Sequence, residues 1–198
     1  IYQNDNGTWT KIGDDIDGEA VNDYSGFSVS LSSDGSVVAI GAYQNDGGGT
    51  DSGHVRIYQN DNGTWTKIGD DIDGEANSDH SGFSVSLSGD GSIVAIGARY
   101  NDGGDGSVNN SGHVRIYEND NGTWTQIGDD IDGESSSDYF GWSVSLSNDG
   151  SVVAIGAPRD DDATNDAGHV RLYKNFNGTW TQVGGDIDGE AYQDYSGS

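Results

Sequence analysis

Across 198 residues, 34 Asp and Glu face 8 Lys and Arg, a net charge of −26. The phosphates of a nucleic acid would be repelled by such a chain, which excludes that partner class. No stretch approaches the ~20 apolar residues of a membrane-spanning helix, so membrane insertion is not expected, and without cysteine there is no disulfide framework.

In chain order the sequence is one phrase repeated, and a fixed period decides architecture before any single motif does. Residues 59–75, QNDNGTWTKIGDDIDGE, recur almost unchanged at 3–19 and 118–134 and more loosely at 174–190. The tryptophans that mark the phrase, Trp9, Trp65, Trp124 and Trp180, are 56, 59 and 56 residues apart. The chain opens in mid-unit: residues 1–18 are half a blade, with strands at Ile1–Gln3 and Thr8–Ile16. Residues 23–73 make the first full unit. Its HVRIYQN strand sets Val55 and Ile57 opposite His54, Arg56 and Tyr58, Asn62-Gly63 makes a tight hairpin turn, and TWTKIGDDI returns as a fourth strand.

The second unit, 79–132, shows the first two strands most clearly. Phe83, Val85 and Leu87 alternate with Ser84, Ser86 and Ser88, Asp90-Gly91 predicts a two-residue hairpin turn, and Ile93–Ala98 is apolar on both faces. Its three extra residues fall between Ala98 and His113, which marks that segment as a surface loop. The third unit spans 138–188, and 189–198 begin another. Four antiparallel strands in under sixty residues, repeated, predict an all-β chain, a β-propeller of four-stranded antiparallel blades. About three and a half repeats are present, so a longer chain or an assembly is expected to complete it, and the piece is expected to be mature or excised from something longer.

Phe140-Gly141 opening one strand and Gly156-Ala157-Pro158 closing the next resemble the FG-GAP repeat, the blade of the integrin α-subunit propeller. Gly41-Ala42 and Gly97-Ala98 keep part of that signature, with Ser-Gly-Phe at the opening and no proline. The W-x-x-x-G-x-x-I-x-G phrase is similar to FG-GAP-like repeats of secreted microbial and algal proteins. The resemblance implies a propeller scaffold and a secreted or cell-surface setting. The integrin-type calcium loop does not carry over: Ser33-Asp34-Gly35-Ser36 and the counterparts around Asp90 and Asp149 offer one carboxylate each, where calcium takes six to eight oxygens.

Oxygen-rich residues do gather in the variable loop, where Asp160, Asp162 and Asp166, with Asp161 and Asn165, are the candidate ligands for a weakly bound Ca2+, the one cofactor the residues admit. The acids of GDDIDGE are read as partners of Arg56, Arg115 and Arg171. His54, His113 and His169 share one repeat position and are read as hydrogen-bonding residues of a strand face; His80 breaks the repeat where Tyr24 and Tyr139 stand. Asn6, Asn62, Asn121 and Asn177 open Asn-Gly-Thr triplets, which serve a hairpin turn and are also N-glycosylation acceptors. Asn109 adds a fifth, in the longest loop. No catalytic constellation breaks the symmetry, so the chain reads as no enzyme. The expected role is a non-catalytic extracellular adhesion or structural module, with a filament or matrix unit and a lectin-like carbohydrate-binding propeller as alternatives. The expected partners are further repeats or other copies of itself, and extracellular glycans or proteins.

Overall fold

The computed structural model describes residues 1–103, 108–160 and 166–198. Among these there is no helix; the strands form a two-stranded ribbon and three closely similar antiparallel sheets. The ribbon pairs β1 (Tyr2–Asp5) with β2 (Thr8–Lys11). The first sheet runs β3 (Ser28–Leu31), β4 (Val37–Ala42), β5 (His54–Asp61), β6 (Thr64–Lys67), with β7 (Ile72–Asp73) also on β5. The second runs β8 (Ser81–Leu87), β9 (Ile93–Ala98), β10 (His113–Asp120), β11 (Thr123–Gln126), with β12 (Ile131–Asp132) on β10. The third repeats this as β13 (Ser143–Leu146), β14 (Val152–Ala157), β15 (His169–Phe176), β16 (Thr179–Gln182) and β17 (Ile187–Asp188). These are propeller-type blades, and the described residues do not close a ring.

The Asn-Gly turn forms as its residues dictate. Asp61 pairs with Thr64, and both loop residues take positive φ, 51° at Asn62 and 92° at Gly63, the type I′ geometry that matches strand twist. The Asp-Gly turn does not follow its two-residue expectation. The Ser88 amide donates to the Ile93 carbonyl at 2.8 Å, leaving four residues in the loop. Asp90 sits inside it, its Oδ1 accepting from Ser88 Oγ (2.7 Å), Ser92 N (3.0 Å) and Ser92 Oγ (2.7 Å). The serines on either side, rather than the Asp-Gly pair alone, set the loop length.

The expected single fourth strand is also two pieces. After Lys67 the chain bends at Gly69 (φ 73°), and Ile72–Asp73 resumes pairing on β5. A side chain at Gly69 would meet the Gly122 carbonyl at 2.5 Å, because the next blade's hairpin lies against the bend. There Trp124 Nε1 donates to the Ile68 carbonyl at 3.0 Å, as Trp65 does to Ile12 and Trp180 to Ile127. The repeated tryptophan therefore ties each blade's outer edge to the blade before it.

The core lies between blades. Val37, Ala39, Val55, Ile57 and Ile72 of the first blade pack against Val85, Leu87, Val94 and Ile96 of the second, and the arrangement recurs one blade on. Each such aliphatic side chain contributes ~1.5–3 kcal/mol by leaving water. Nearer the first strand the blades approach backbone to backbone. Ser84 Oγ donates to the Gly141 carbonyl at 2.7 Å, and Ser28 and Ser143 do the same to Gly82 and Gly197. The serines that alternate with Phe, Val and Leu are thus both small and cross-linking.

Candidate functional site

The acidic crossover of each unit meets an arginine from the next blade. Arg56 lies 3.2 Å from Glu19 and donates to the Asp17 carbonyl at 2.8 Å. Arg115 pairs with Glu75 of the preceding unit and reaches Asp130 of its own at 3.0 and 3.2 Å. Arg171 joins Glu134 (2.9 Å) to Asp186 (2.7 Å). The difference at Arg56 has a local cause: Lys67 already holds Asp71 at 2.6 Å, whereas the corresponding Gln126 and Gln182 carry no charge and leave Asp130 and Asp186 to the arginines. Burial opposes the charge on Arg171, but its hydrogen bonds to Asp186 and Glu134 outweigh that and hold its proton more firmly than usual. The anticipated acid–arginine pairing is present at all three positions, with Glu19 as the carboxylate partner at Arg56.

Carboxylates and histidines also converge here. Glu19, His54 and Asp71; Glu75, His113 and Asp130; and His169, Asp186 and Asp188 each bring potential metal-ligand atoms within 4.8 Å of one another. In each set the blade's own arginine already neutralises at least one of the acids. The three histidines are buried, yet their expected strand-face hydrogen bond is not made through Nδ1: it lies 3.9 Å from Asp71 in His54, 3.7 Å from Asp130 in His113 and 3.1 Å from Asp160 in His169, without hydrogen-bond alignment in the latter two. Burial holds the His54 and His113 pKa values below the usual range, which keeps both rings neutral at neutral pH.

Of the loop acids, Asp160 is buried beside His169, at the position where Asn45 and Asn101 donate to Asp23 and Asp79. Asp166 takes a positive φ of 53°, and its carbonyl receives the Tyr195 amide at 3.2 Å. Asp162 lies outside the described residues. Asp160 and Asp166 belong to none of the metal-ligand groupings found among the described residues. In the tight turns, Asp34 and Asp149 are held down to about 2 by the serine hydroxyls and amides that donate to Oδ1, and each turn brings one carboxylate where calcium takes six to eight oxygens. Chelation with EDTA is therefore expected to move the melting temperature by less than ~2 °C. A larger, calcium-reversible fall not reproduced by sodium chloride would contradict this.

A second cluster forms where three blades begin their first strands. Phe27, Phe83 and Trp142, at equivalent repeat positions, make a row with ring centroids 4.9 and 5.0 Å apart. Beside it runs a second row, Tyr24 to Tyr43 (5.3 Å), Tyr43 to His80 (5.1 Å), His80 to Tyr100 (4.7 Å) and Tyr100 to Tyr139 (5.2 Å). Tyr24, His80 and Tyr139 hold positive φ of 55°, 58° and 59°, sparsely populated for such bulky residues. Arg99 lies among these rings, its Cζ 3.7 Å from the Phe83 centroid, 4.4 Å from Tyr100 and 4.6 Å from Trp142. Its Nε is buried with no hydrogen-bond partner. The sequence reading overlooked Arg99, although a signal was there: the residue after each Gly-Ala is Tyr43, then Arg99, then Pro158, the kind of break in symmetry that marks one blade out.

Two stretches, 15–58 and 131–173, match the family model of the FG-GAP repeat. Each runs from an acidic crossover through the first three strands of the next blade, the segment that carries the Gly-Ala strand and the arginine. These two stretches are FG-GAP-like repeats. No curated protein matches it. Among solved structures it is similar to a Bacteroides uniformis protein named as a 6-phosphogluconolactonase (17% identity, TM-score 0.54, 81% of this chain and 39% of that one). It is also similar to Saccharomyces cerevisiae Sqt1 (15% identity, TM-score 0.51, 87% of this chain and 37% of that one). At these identities the likeness is one of fold, and the chain spans about two fifths of either protein. The FG-GAP repeats here put acid–arginine pairs between blades and serine-capped aspartates in the first turn.

The Asn-Gly-Thr asparagines sit at exposed hairpin tips with φ of 51° to 53°. The amides of Asn6, Asn62 and Asn121 donate to the preceding aspartate at 2.7 to 2.9 Å. Asn109 is exposed in its loop.

Proposed function

We propose that the chain is a non-catalytic, extracellular FG-GAP repeat module for adhesion or structure, made to be continued at both ends by another blade. The observation that carries this reading is the exposure of two faces whose internal equivalents are buried. Val85 and Leu87 are 9% and 6% exposed inside the stack, whereas Val29 and Leu31, their equivalents on the first blade, are 63% and 51% exposed. At the other end, Val152, Ala154, Val170 and Leu172 are half-buried and Ile187 is 55% exposed, while the corresponding Val37, Ala39, Val55, Ile57 and Ile72 are covered by the next blade. The two faces are the two halves of the contact that recurs inside the chain, which makes the junction heterologous and able to extend.

The non-catalytic part of the proposal rests on repetition, since the acids, arginines and histidines are written into every blade and the acids and arginines pair with one another. In a glycosylating host the exposed asparagines, Asn6, Asn62, Asn109, Asn121 and Asn177, are the positions for glycans. Sedimentation velocity of the 198-residue chain tests the assembly reading: the mean mass is expected to rise with concentration, and to rise further with sodium chloride, which screens the repulsion between copies of charge −26. A single monomeric species at all concentrations and salts would count against it. The aromatic cluster around Arg99 favours a second reading, carbohydrate binding.

A further inference from the structure

The chain carries 34 acids, so a cation without a carboxylate partner is not short of candidates. Five of the 8 Lys and Arg have one: Lys11 on Asp15, Arg56 on Glu19, Lys67 on Asp71, Arg115 on Glu75 and Asp130, Arg171 on Glu134 and Asp186. Among the described residues, Arg99 and Arg159 lie instead against rings of one cluster, Arg159 with its Cζ 5.1 Å from Tyr139. Two arginines thus make a local positive site on a strongly negative molecule.

The rings also decide what Arg99 can still do. Phe83, Tyr100 and Trp142 crowd its guanidinium, and the buried Nε–H has no acceptor. With Nε buried, the edge left to a ligand is that of the two terminal nitrogens, and the group that fits it is a carboxylate, which takes two parallel N–H donors at once. Beside it, Tyr43, Tyr139 and Trp142 are partly exposed. Such rings take the C–H face of a pyranose, and tyrosine hydroxyls serve its hydroxyl groups.

We propose that Arg99 and this aromatic platform bind a carboxylate-bearing sugar residue, a uronic acid, with the carboxylate on the Arg99 edge and the sugar face on the neighbouring rings. The proposal rests on the carbohydrate-binding reading and is independent of assembly through the end faces. The net charge of −26 suits the site to an isolated acidic residue in an otherwise neutral glycan, because a polyanion would be repelled over its length.

Methyl galacturonoside and methyl galactoside present the same ring and differ in whether C6 is a carboxylate, so titrating both by calorimetry or NMR isolates the carboxylate. The uronoside is expected to bind about tenfold tighter than the galactoside, and sodium acetate is expected to bind about tenfold more weakly than the uronoside. Arg99→Gln is expected to abolish the preference for the uronoside. Arg99→Lys keeps a cation over the rings, guards against misfolding and is expected to lose most of the preference because it lacks the planar fork. Melting curves of both variants establish that they fold. Equal binding of uronoside and galactoside, equal binding of acetate, no binding of the uronoside, or an unchanged preference in either folded variant would overturn the proposal. A melting temperature that responds to salt and concentration while no uronoside binds would remove this site and leave the assembly reading standing.

Discussion

Gly97→Val is expected to destabilise the chain by about 3 kcal/mol, the upper part of the range for an overpacked core. Gly97 closes the second strand of the middle blade, where a Cβ would run into the Gly141 carbonyl and Ser84 Oγ of the contact that links two blades. Its φ is not positive, so the effect is steric and not a matter of backbone preference. The obstruction is also backbone, which cannot swing aside as the end of a side chain can. Gly41 against Gly82 and Gly156 against Gly197 repeat the geometry and should behave alike. Gly122→Ala makes the control: its φ is +91° and nothing lies within 4 Å, so only the left-handed conformation is penalised, by ~1 kcal/mol. Urea unfolding of the two variants separates the effects, and equal losses would mean that the blades are not packed this closely.

Arg171→Ala is expected to cost about 2–3 kcal/mol, less than the full penalty for breaking a buried pair, because Glu134 is 60% exposed and Asp186 25% exposed. Most of the loss comes from Asp186, left partly buried with Gln182 as its remaining side-chain donor among the described residues. Replacing Asp186 by Asn in the Arg171→Ala background should therefore recover about 1 kcal/mol or more, a coupling that a double-mutant cycle reads directly. Arg171→Lys should rescue little, since one ammonium cannot reach Glu134 and hold Asp186 through two nitrogens. Additive losses in the cycle would mean that the arginine acts through packing alone.

The parts legible in sequence are those set by local chemistry or by repetition. Asn62-Gly63 demands a type I′ turn wherever it stands, Phe83, Val85 and Leu87 declare a strand by their period of two, and the tryptophan spacing declares blades. What escaped detection depends on a neighbour distant in sequence. The break after Lys67 exists because the Gly122 hairpin and Trp124 occupy the space beside Gly69, fifty-odd residues away. His54 looked like a strand-face hydrogen bonder because it recurs, but its Nδ1 stops 3.9 Å from Asp71. Arg99 was overlooked for the converse reason: reading by repeat averages over each position, and Arg99 matters because it differs from Tyr43 and Pro158.

If the exposed first and last faces are complementary halves of one junction, disabling each separately has a distinct outcome. Leu31→Arg places a charge on the first face and Leu172→Arg on the last; a copy carrying one of them keeps the other face intact. Each variant alone is expected to sediment as a monomer at salt concentrations where the wild-type chain associates. An equal mixture is expected to give a discrete dimer, joined through the two intact faces, and nothing larger. A mixture that stays monomeric while the wild-type chain associates, or single variants that still pair with themselves, would contradict the account.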